Sequence, residues 1–468
     1  MPGVHTFYDG SRILEPVAEG IGVEVDMLNL VFCQVISIPM AILYRNYLGP
    51  EKVSREIRLW SSMAVGLVLC YFCYGNAIKH PLALIAVSYS IMRFSPTIYV
   101  HKLVFCFAMG YLIFIHWFRW YILTSYSIDI TGPMMVLTQK VTTMAFSLHD
   151  GKVKKAEELT PIQKREAIGE VPSVLEFMSY LFHFQTVLTG PLCFYTDYIQ
   201  FIDGNDMTPE ERKRLNVWQG ALPKLLSALA FLTIVAVSHE AYKPEIVLQP
   251  EILRLPFYKW WVLFWLVIVL KRFQYYYAWT IADGIANLSG FGFNGYDENH
   301  RPRWDLISNV NWLKVELAFN FKDTLDNWNI TTMYWLRRVA YERAPKKYST
   351  VATYMLSAMW HGFFLGYYLT FLTGALMTLS ARTARRCLRH RFQINLFWSR
   401  FYDVLTFIAT KTALAYTTFP FVTLHLYPAI YLYKQVYFSH HIGGLLIIFL
   451  LPLVLPPQPR SVDVKKVK

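Results

Sequence analysis

The chain has 468 residues, of which 54% are hydrophobic, 17% aromatic and only 16% charged, with a net charge of +13. Several apolar runs reach the roughly 20 residues that a membrane-spanning helix needs, which excludes a soluble protein built on one large core. The positive excess lies in loops between those runs, so nucleic acid is a poor partner.

Six scattered cysteines, including the Cys70-x-x-Cys73 pair, fall mostly in apolar stretches and read as small buried hydrophobes rather than disulfide or metal ligands.

In chain order, residues 1–26 show no basic segment followed by an apolar core, so no cleavable signal peptide is expected. Membrane segments are predicted at 27–43, 59–77, 81–100, 103–123, 173–191, 222–237, 256–270 and 273–288. Two more fall between 350 and 380, two or three between 401 and 437, and one at 442–455, roughly ten to twelve in all. In lipid the backbone must satisfy its own hydrogen bonds, and no alternating barrel pattern is visible. The expected fold class is therefore all-α: a polytopic integral membrane protein. It reads as one membrane-embedded domain over 1–468, with an N-terminal segment 1–26, an interfacial segment 291–344 and a C-terminal tail 456–468.

Between these runs, Gln139-Lys140 interrupts the apolar stretch ITGPMMVLTQKVTTMAF. The lysine either snorkels to the interface or faces an internal polar path. Thr208-Pro209-Glu210-Glu211 has the form of a helix start. Gly290 to Gly295 spells G-x-G-x-x-G, but it follows an apolar helix rather than a strand, so it reads as a turn. Segment 291–344 is the longest polar stretch, and Trp304, Trp312, Trp328 and Trp335 suit a membrane–water boundary. His300 and Asp305 share a polar loop and read as a coincidence of spacing. His440-His441 reads as an interfacial pair at a helix entrance. There is no G-x-S-x-G elbow, no phosphate-binding P-loop and no H-E-x-x-H zinc signature.

Three basic clusters stand out: Lys152, Lys154, Lys155, Lys164 and Arg165; then Arg337, Arg338, Arg343, Lys346 and Lys347; then Arg382, Arg385, Arg386, Arg389 and Arg391. They read first as topology signals, and second as attractors for lipid headgroups or a phosphorylated cosubstrate. The last two flank residues 350–381, which contain no Asp, Glu, Lys or Arg. As one helix this stretch would run about 48 Å, too long for a bilayer core of about 30 Å. As two arms it makes a hairpin, with Gly362 and Gly366 near the bend and His361 at the deepest point.

His361, in Trp360-His361-Gly362, is the only side chain of that stretch that can move a proton near neutral pH. An ionisable group at membrane depth is a functional-site hypothesis by default, although alone it reads equally as a hydrogen-bonded structural histidine. Asn329, in Asn327-Trp328-Asn329-Ile330-Thr331, is either a helix cap or a fixed amide that orients a substrate. Together they suggest a base and an orienting amide 32 residues apart.

The blocks DNWNITTMYWLRRVAYER and LSAMWHGFFLGYYLTFLTG resemble the Asn/His pair of the membrane-bound O-acyltransferase family. ITGPMMVLTQKVTTMAFSLHDG, PSVLEFMSYLFHFQTVLTGP and SGFGFNGYDENHRPRWDLISNV are similar to its lysophospholipid branch, in particular the subgroup acting on lysophosphatidylserine and lysophosphatidylethanolamine. The resemblance spans roughly 28 to 386. It implies many helices around a reaction tunnel, an endoplasmic-reticulum membrane location, and acyl-CoA as cosubstrate, with no bound cofactor and no metal. Lys465-Lys466-Val467-Lys468 resembles a dilysine retrieval signal.

The expected reaction moves an acyl chain from a thioester to a lysophospholipid hydroxyl, inside a medium that keeps both tails out of water at about 0.8 kcal/mol per CH₂. His361 would be the general base and Asn329 would orient substrate or stabilise developing charge. Trp328, Trp360, Gln139, Lys140, Arg337 and Arg338 are the further candidates for substrate contact, with Lys346 joining the two arginines as a possible attractor of CoA phosphates. The alternatives are a same-family enzyme for lysophosphatidylcholine, diacylglycerol, a sterol or a protein, and a non-enzymatic lipid transporter or scramblase. The absence of repeated halves argues against the transporter.

Overall fold

A computed structural model of the protein describes residues 8–122, 128–239 and 241–458. The dilysine-like ending lies outside the described residues, as do the first seven residues. Among the described residues there is no strand; one isolated bridge joins Tyr296 to Pro302 and regular structure is otherwise helical.

Local sequence sets the helix ends. Ser54 accepts from the Ile57 N–H at 3.4 Å, and Asn395 from the Trp398 N–H at 3.0 Å, opening the helices Arg55–Tyr74 and Leu396–Thr423. The predicted start at Thr208 is a reciprocal cap. Its hydroxyl accepts from the Glu211 N–H at 3.2 Å while the Glu211 carboxylate accepts from the Thr208 N–H at 2.9 Å. The Gly290 motif is a turn: Gly290 closes helix Phe257–Ser289 with a φ of +92°.

By length and composition, four stretches among the described residues can cross a membrane: Val25–Tyr47, Arg55–Phe94, Val100–Ile122 and Trp218–Ser238. A pair bent by 73°, Leu426–Gln435 with Ser439–Val454, makes a fifth if taken as one span. The ten to twelve segments expected from hydropathy therefore do not all appear as separate straight spans. The stretch 173–191 is helical only over Val174–Phe182, and 256–270 with 273–288 form one helix, Phe257–Ser289, because Lys271 and Arg272 interrupt the hydropathy without breaking the backbone. Arg272 stays in that helix by a two-pronged ion pair to Glu316, at 2.8 and 2.7 Å.

Helix Thr131–Val153 is buried on nearly all sides and forms the centre. Its Lys140 is fully enclosed, with Nζ donating to the Tyr180 carbonyl at 3.1 Å and to Thr186 Oγ1 at 3.1 Å, and 3.0 Å from His183 Nε2.

The expected hairpin is present. Helix Ser349–His361 is followed by a break and by helix Leu365–Phe392, which packs back along it. Tyr354 and Thr378 hydroxyls meet at 2.7 Å, and Arg382 reaches Thr350 at 3.4 Å. Both pairs centre on residue 366, as antiparallel arms require. The second arm packs on Leu396–Thr423, which in turn touches Phe257–Ser289.

Candidate active site

His361 is the last residue of the first arm, and each neighbour in its motif has a packing role. The Trp360 indole N–H donates to the Met135 carbonyl at 3.0 Å, and the Trp360 carbonyl lies 3.1 Å from His116 Nε2. Only the N–H form of that nitrogen can bond a carbonyl, so the contact also sets the His116 tautomer. Gly362 has a φ of +117°, and a Cβ there would stand 3.0 Å from the His116 ring. Gly366 lets the hairpin close onto its neighbour: its N–H donates to the Leu424 carbonyl at 2.9 Å, and a Cβ would lie 2.1 Å from the Pro420 oxygen.

The imidazole of His361 sits among rings: Trp360 at 4.7 Å, Phe421 at 5.0 Å edge to face, Phe371 at 5.2 Å stacked, and Tyr367 at 5.4 Å between centroids. Among the described residues it makes no hydrogen bond, so both ring nitrogens keep their bonding capacity.

Asn329 stands just before helix Ile330–Leu336, in the left-handed region at φ +50° and ψ +52°. Its side chain does not cap that helix. Asn309 does so instead: its backbone carbonyl accepts from the Ile330 N–H at 2.8 Å, and its Oδ1 accepts from the Thr331 N–H at 3.0 Å and the Thr331 hydroxyl at 2.8 Å. Asn309 Nδ2 donates to Asn329 Oδ1 at 3.0 Å. Two further bonds tie the segment to the central helix, Gln139 to Thr332 Oγ1 and the Trp335 indole to Thr142 Oγ1, both at 2.9 Å. Met135, Gln139 and Thr142 follow the i, i+4, i+7 spacing of one helix face. One face of the central helix therefore carries both halves of the site.

His361 and Asn329 line the same cavity of about 980 Å³. A row of rings joins their surroundings: Trp328 to Tyr275 at 5.8 Å, Tyr275 to Phe421 at 6.3 Å, Phe421 to His361 at 5.0 Å. The cavity continues along the second arm to Arg382, Arg385 and Arg389. From Phe371 to Arg389 the helix rises about 27 Å. Arg385 and Arg389 make no ion pair among the described residues.

Of the residues singled out in the sequence, the structure brings His361, Asn329 and Trp328 to the cavity wall. Trp360 and Gln139 stand one layer behind, and Lys140 is enclosed elsewhere among Tyr180, His183 and Thr186. Arg337 is exposed and pairs with Glu342 at 3.1 Å, and Lys346 is exposed outside the cavity. Arg338 is buried against Glu166 and Asp150, the latter at 3.3 Å. Burial pushes the Glu166 carboxyl up to about 7, while the guanidiniums of Arg338 and Arg165 pull it the other way. This ion network ties the loop after the central helix to the segment after Asn329, and it does not line the cavity. His300 and Asp305 are exposed, Asp305 pairing with Arg303 at 3.1 Å. His441 bonds to the Tyr416 hydroxyl at 2.7 Å and lies 3.1 Å from Thr373 Oγ1.

Sequence reasoning passed over Asn309, His116 and the cavity-lining role of the third basic cluster. Nothing in the composition around Asn309 distinguishes it from neighbouring asparagines. The cluster carried a signal: Arg382, Arg385 and Arg389 recur at three- and four-residue spacing, which is one helical face.

A model of the MBOAT, membrane-bound O-acyltransferase family, matches residues 115–419. The chain is 41% identical to lysophospholipid acyltransferase 6 of Drosophila melanogaster, over 97% of this chain and 65% of that protein, so it spans about two thirds of the fly protein's length. It is 41% identical to the human membrane-bound glycerophospholipid O-acyltransferase 2, over 95% of this chain and 88% of that one. A lysophospholipid acyltransferase of Schizosaccharomyces pombe is 32% identical over 90% of this chain and 85% of its own length.

Proposed function

The chain belongs to the membrane-bound O-acyltransferase family, and from that premise we propose that it transfers a fatty acyl chain from acyl-CoA to the free hydroxyl of a lysophospholipid. The acceptor carries an ethanolamine or serine headgroup, and the protein works in the endoplasmic-reticulum membrane. The relatives' printed names support the lysophospholipid class; the headgroup and the location rest on the sequence resemblance.

One observation carries the mechanism: an imidazole without a hydrogen-bonding partner among the described residues and the amide of Asn329 line a single large cavity, with arginines at its far end. A lipid alcohol is a weak nucleophile, and a neutral imidazole within reach takes its proton as attack proceeds. The alcohol oxygen bonds to the thioester carbon and the carbonyl oxygen becomes an oxyanion, which the fixed Asn329 amide stabilises. Collapse breaks the C–S bond, and the imidazolium returns the proton to the leaving thiolate. The products are a diacyl phospholipid and CoA, with His361 neutral again. The apolar walls accept the acyl chains, while Arg382, Arg385 and Arg389 meet the phosphates of CoA.

Purified full-length protein in lipid nanodiscs, given labelled acyl-CoA and a panel of acceptors, tests this. Free CoA and labelled phospholipid should appear together, most with lysophosphatidylethanolamine or lysophosphatidylserine. Release with no acceptor of the panel would sink the enzymatic reading, and faster release with a sterol or diacylglycerol would replace the substrate class.

A further inference from the structure

The two ends of a side-chain amide have nearly the same shape, so which end faces a ligand is decided by the hydrogen bonds around it. Here a chain of obligate donors decides it. The backbone N–H of Thr331 can only donate, so the Asn309 atom 3.0 Å from it is the carbonyl oxygen. The other end of Asn309 is then its NH₂ group, which can only donate. The Asn329 atom it meets at 3.0 Å is therefore the carbonyl oxygen of that amide. What remains is the NH₂ group of Asn329, which has no partner among the described residues and belongs to a side chain that lines the cavity.

We infer that Asn309 is a positioning residue that fixes the polarity of the Asn329 amide, so that Asn329 offers the substrate a hydrogen-bond donor and not an acceptor. Asn309 is itself 3% exposed and does not line the cavity, so it acts through its neighbour. Two further details fit this role. Asn309 accepts from the Thr331 N–H with its side chain, a bond that an asparagine at position 329 would otherwise be placed to accept with its own. The backbone of Asn329 is left-handed, and its side chain makes no cap bond to the helix it precedes. A donor serves the oxyanion of the tetrahedral intermediate; an acceptor would instead hold the proton of the attacking alcohol and compete with His361.

The inference rests on the assignment of Asn329 to the reaction, and three variants separate the two. Asn309→Asp keeps the acceptor for Thr331 but has no donor, so the Asn329 amide turns over to donate to it and presents its carbonyl oxygen to the cavity. Turnover should fall on the order of 10²–10³-fold, the usual cost of one oxyanion donor, with KM for both substrates and the melting midpoint nearly unchanged. Asn329→Asp leaves Asn309 untouched, keeps the size of the side chain and removes the donor; it should be as inactive as Asn329→Ala. In the Asn329→Ala background, Asn309→Asp should cause no further loss.

Wild-type turnover in Asn309→Asp or in Asn329→Asp, with Asn329→Ala inactive, overturns the inference and leaves the role of Asn329 intact. Losses that multiply in the double variant mark Asn309 as merely structural and overturn it as well. Wild-type turnover in Asn329→Ala removes the assignment on which the inference rests, and the inference with it. If Asn309→Asp does not extract as a folded protein, the Asn329→Asp comparison decides alone.

Discussion

The side-chain amide of Asn329 is held by a hydrogen bond, whereas the imidazole of His361 is held by ring packing, although hydrogen bonds anchor the backbone on either side of both. Asn329 is anchored through Asn309, Thr331 and Thr332, each bonded to a specific partner. His361 touches four aromatic rings and has no hydrogen bond among the described residues. The difference follows from what each group is asked to do. A dipole that stabilises charge must keep one orientation throughout, and bonds to one end of the amide enforce it. A base must give and take a proton, so any fixed partner on its nitrogens would compete with the substrate. Rings restrain the plane of the imidazole without occupying its nitrogens.

The largest effect should come from removing the group that moves the proton. His361→Ala is expected to lose on the order of 10²–10⁴-fold or more in turnover, read as labelled phospholipid formed, while size-exclusion behaviour in detergent stays the same. Retained activity would make His361 a structural histidine and dissolve the contrast. Removing the fixed dipole should cost less. Asn329→Ala is expected to fall on the order of 10²–10³-fold in turnover with little change in KM. Alanine is less at ease than asparagine in the left-handed region and leaves the Asn309 amide without its acceptor, so a modest fall in the melting midpoint should accompany the loss of turnover. A drop in stability comparable to loss of a helix cap, with activity retained, would reassign Asn329 to capping.

A third variant sharpens the comparison from the other side. Phe371 stacks on His361 at an interplanar angle of 22° and belongs to the second arm of the hairpin. Phe371→Ala opens the ring cage and leaves every hydrogen bond around Asn329 in place. A group held about 1 Å from its best position can lose up to about 10²-fold, so a decline of about tenfold in turnover is expected, with unchanged KM for acyl-CoA. An unchanged turnover would mean that the hairpin backbone alone holds the imidazole.

The two halves of the site were not equally legible in the sequence. His361 is conspicuous because 32 residues around it carry no formal charge, and the length of that stretch against the bilayer thickness already implies the hairpin. Asn329 reads from its own surroundings as either a cap or an orienting amide, and the family resemblance is what favours the second, since an asparagine in a polar segment rich in asparagine has no sharp local signature. Asn309 stays hidden for the same reason: its bond to Asn329 depends on how the chain folds back across a separation of 20 positions. Gln139 and Lys140 are easily noticed as polar groups in an apolar run, yet one supports Thr332 from behind and the other is enclosed away from the cavity. The helix count misled where hydropathy and backbone continuity diverge. Lys271 and Arg272 look like a boundary between two spans, but they sit inside one helix, with Arg272 neutralised by Glu316.

The smallest expected effect lies at the other end of the cavity, and it asks whether a binding function can be separated from both turns. Arg385 and Arg389 share one face of the second arm, line the cavity and make no ion pair among the described residues, unlike Arg337 and Arg338, whose carboxylate partners occupy them. If they meet phosphate, the double variant Arg385→Gln, Arg389→Gln should raise KM for acyl-CoA several-fold, roughly what partly exposed charge contacts contribute, and leave kcat and KM for the lysophospholipid unchanged. The dependence of KM on salt should flatten as well, because screening acts on the interactions that were removed. The same substitutions at Arg337 should leave both KM values where they were. A loss of kcat in the arginine double variant would instead tie this end of the cavity to the geometry of His361, whose stacked neighbour Phe371 lies about 27 Å from Arg389 along the second arm, and the division of labour between binding and chemistry would have to be redrawn.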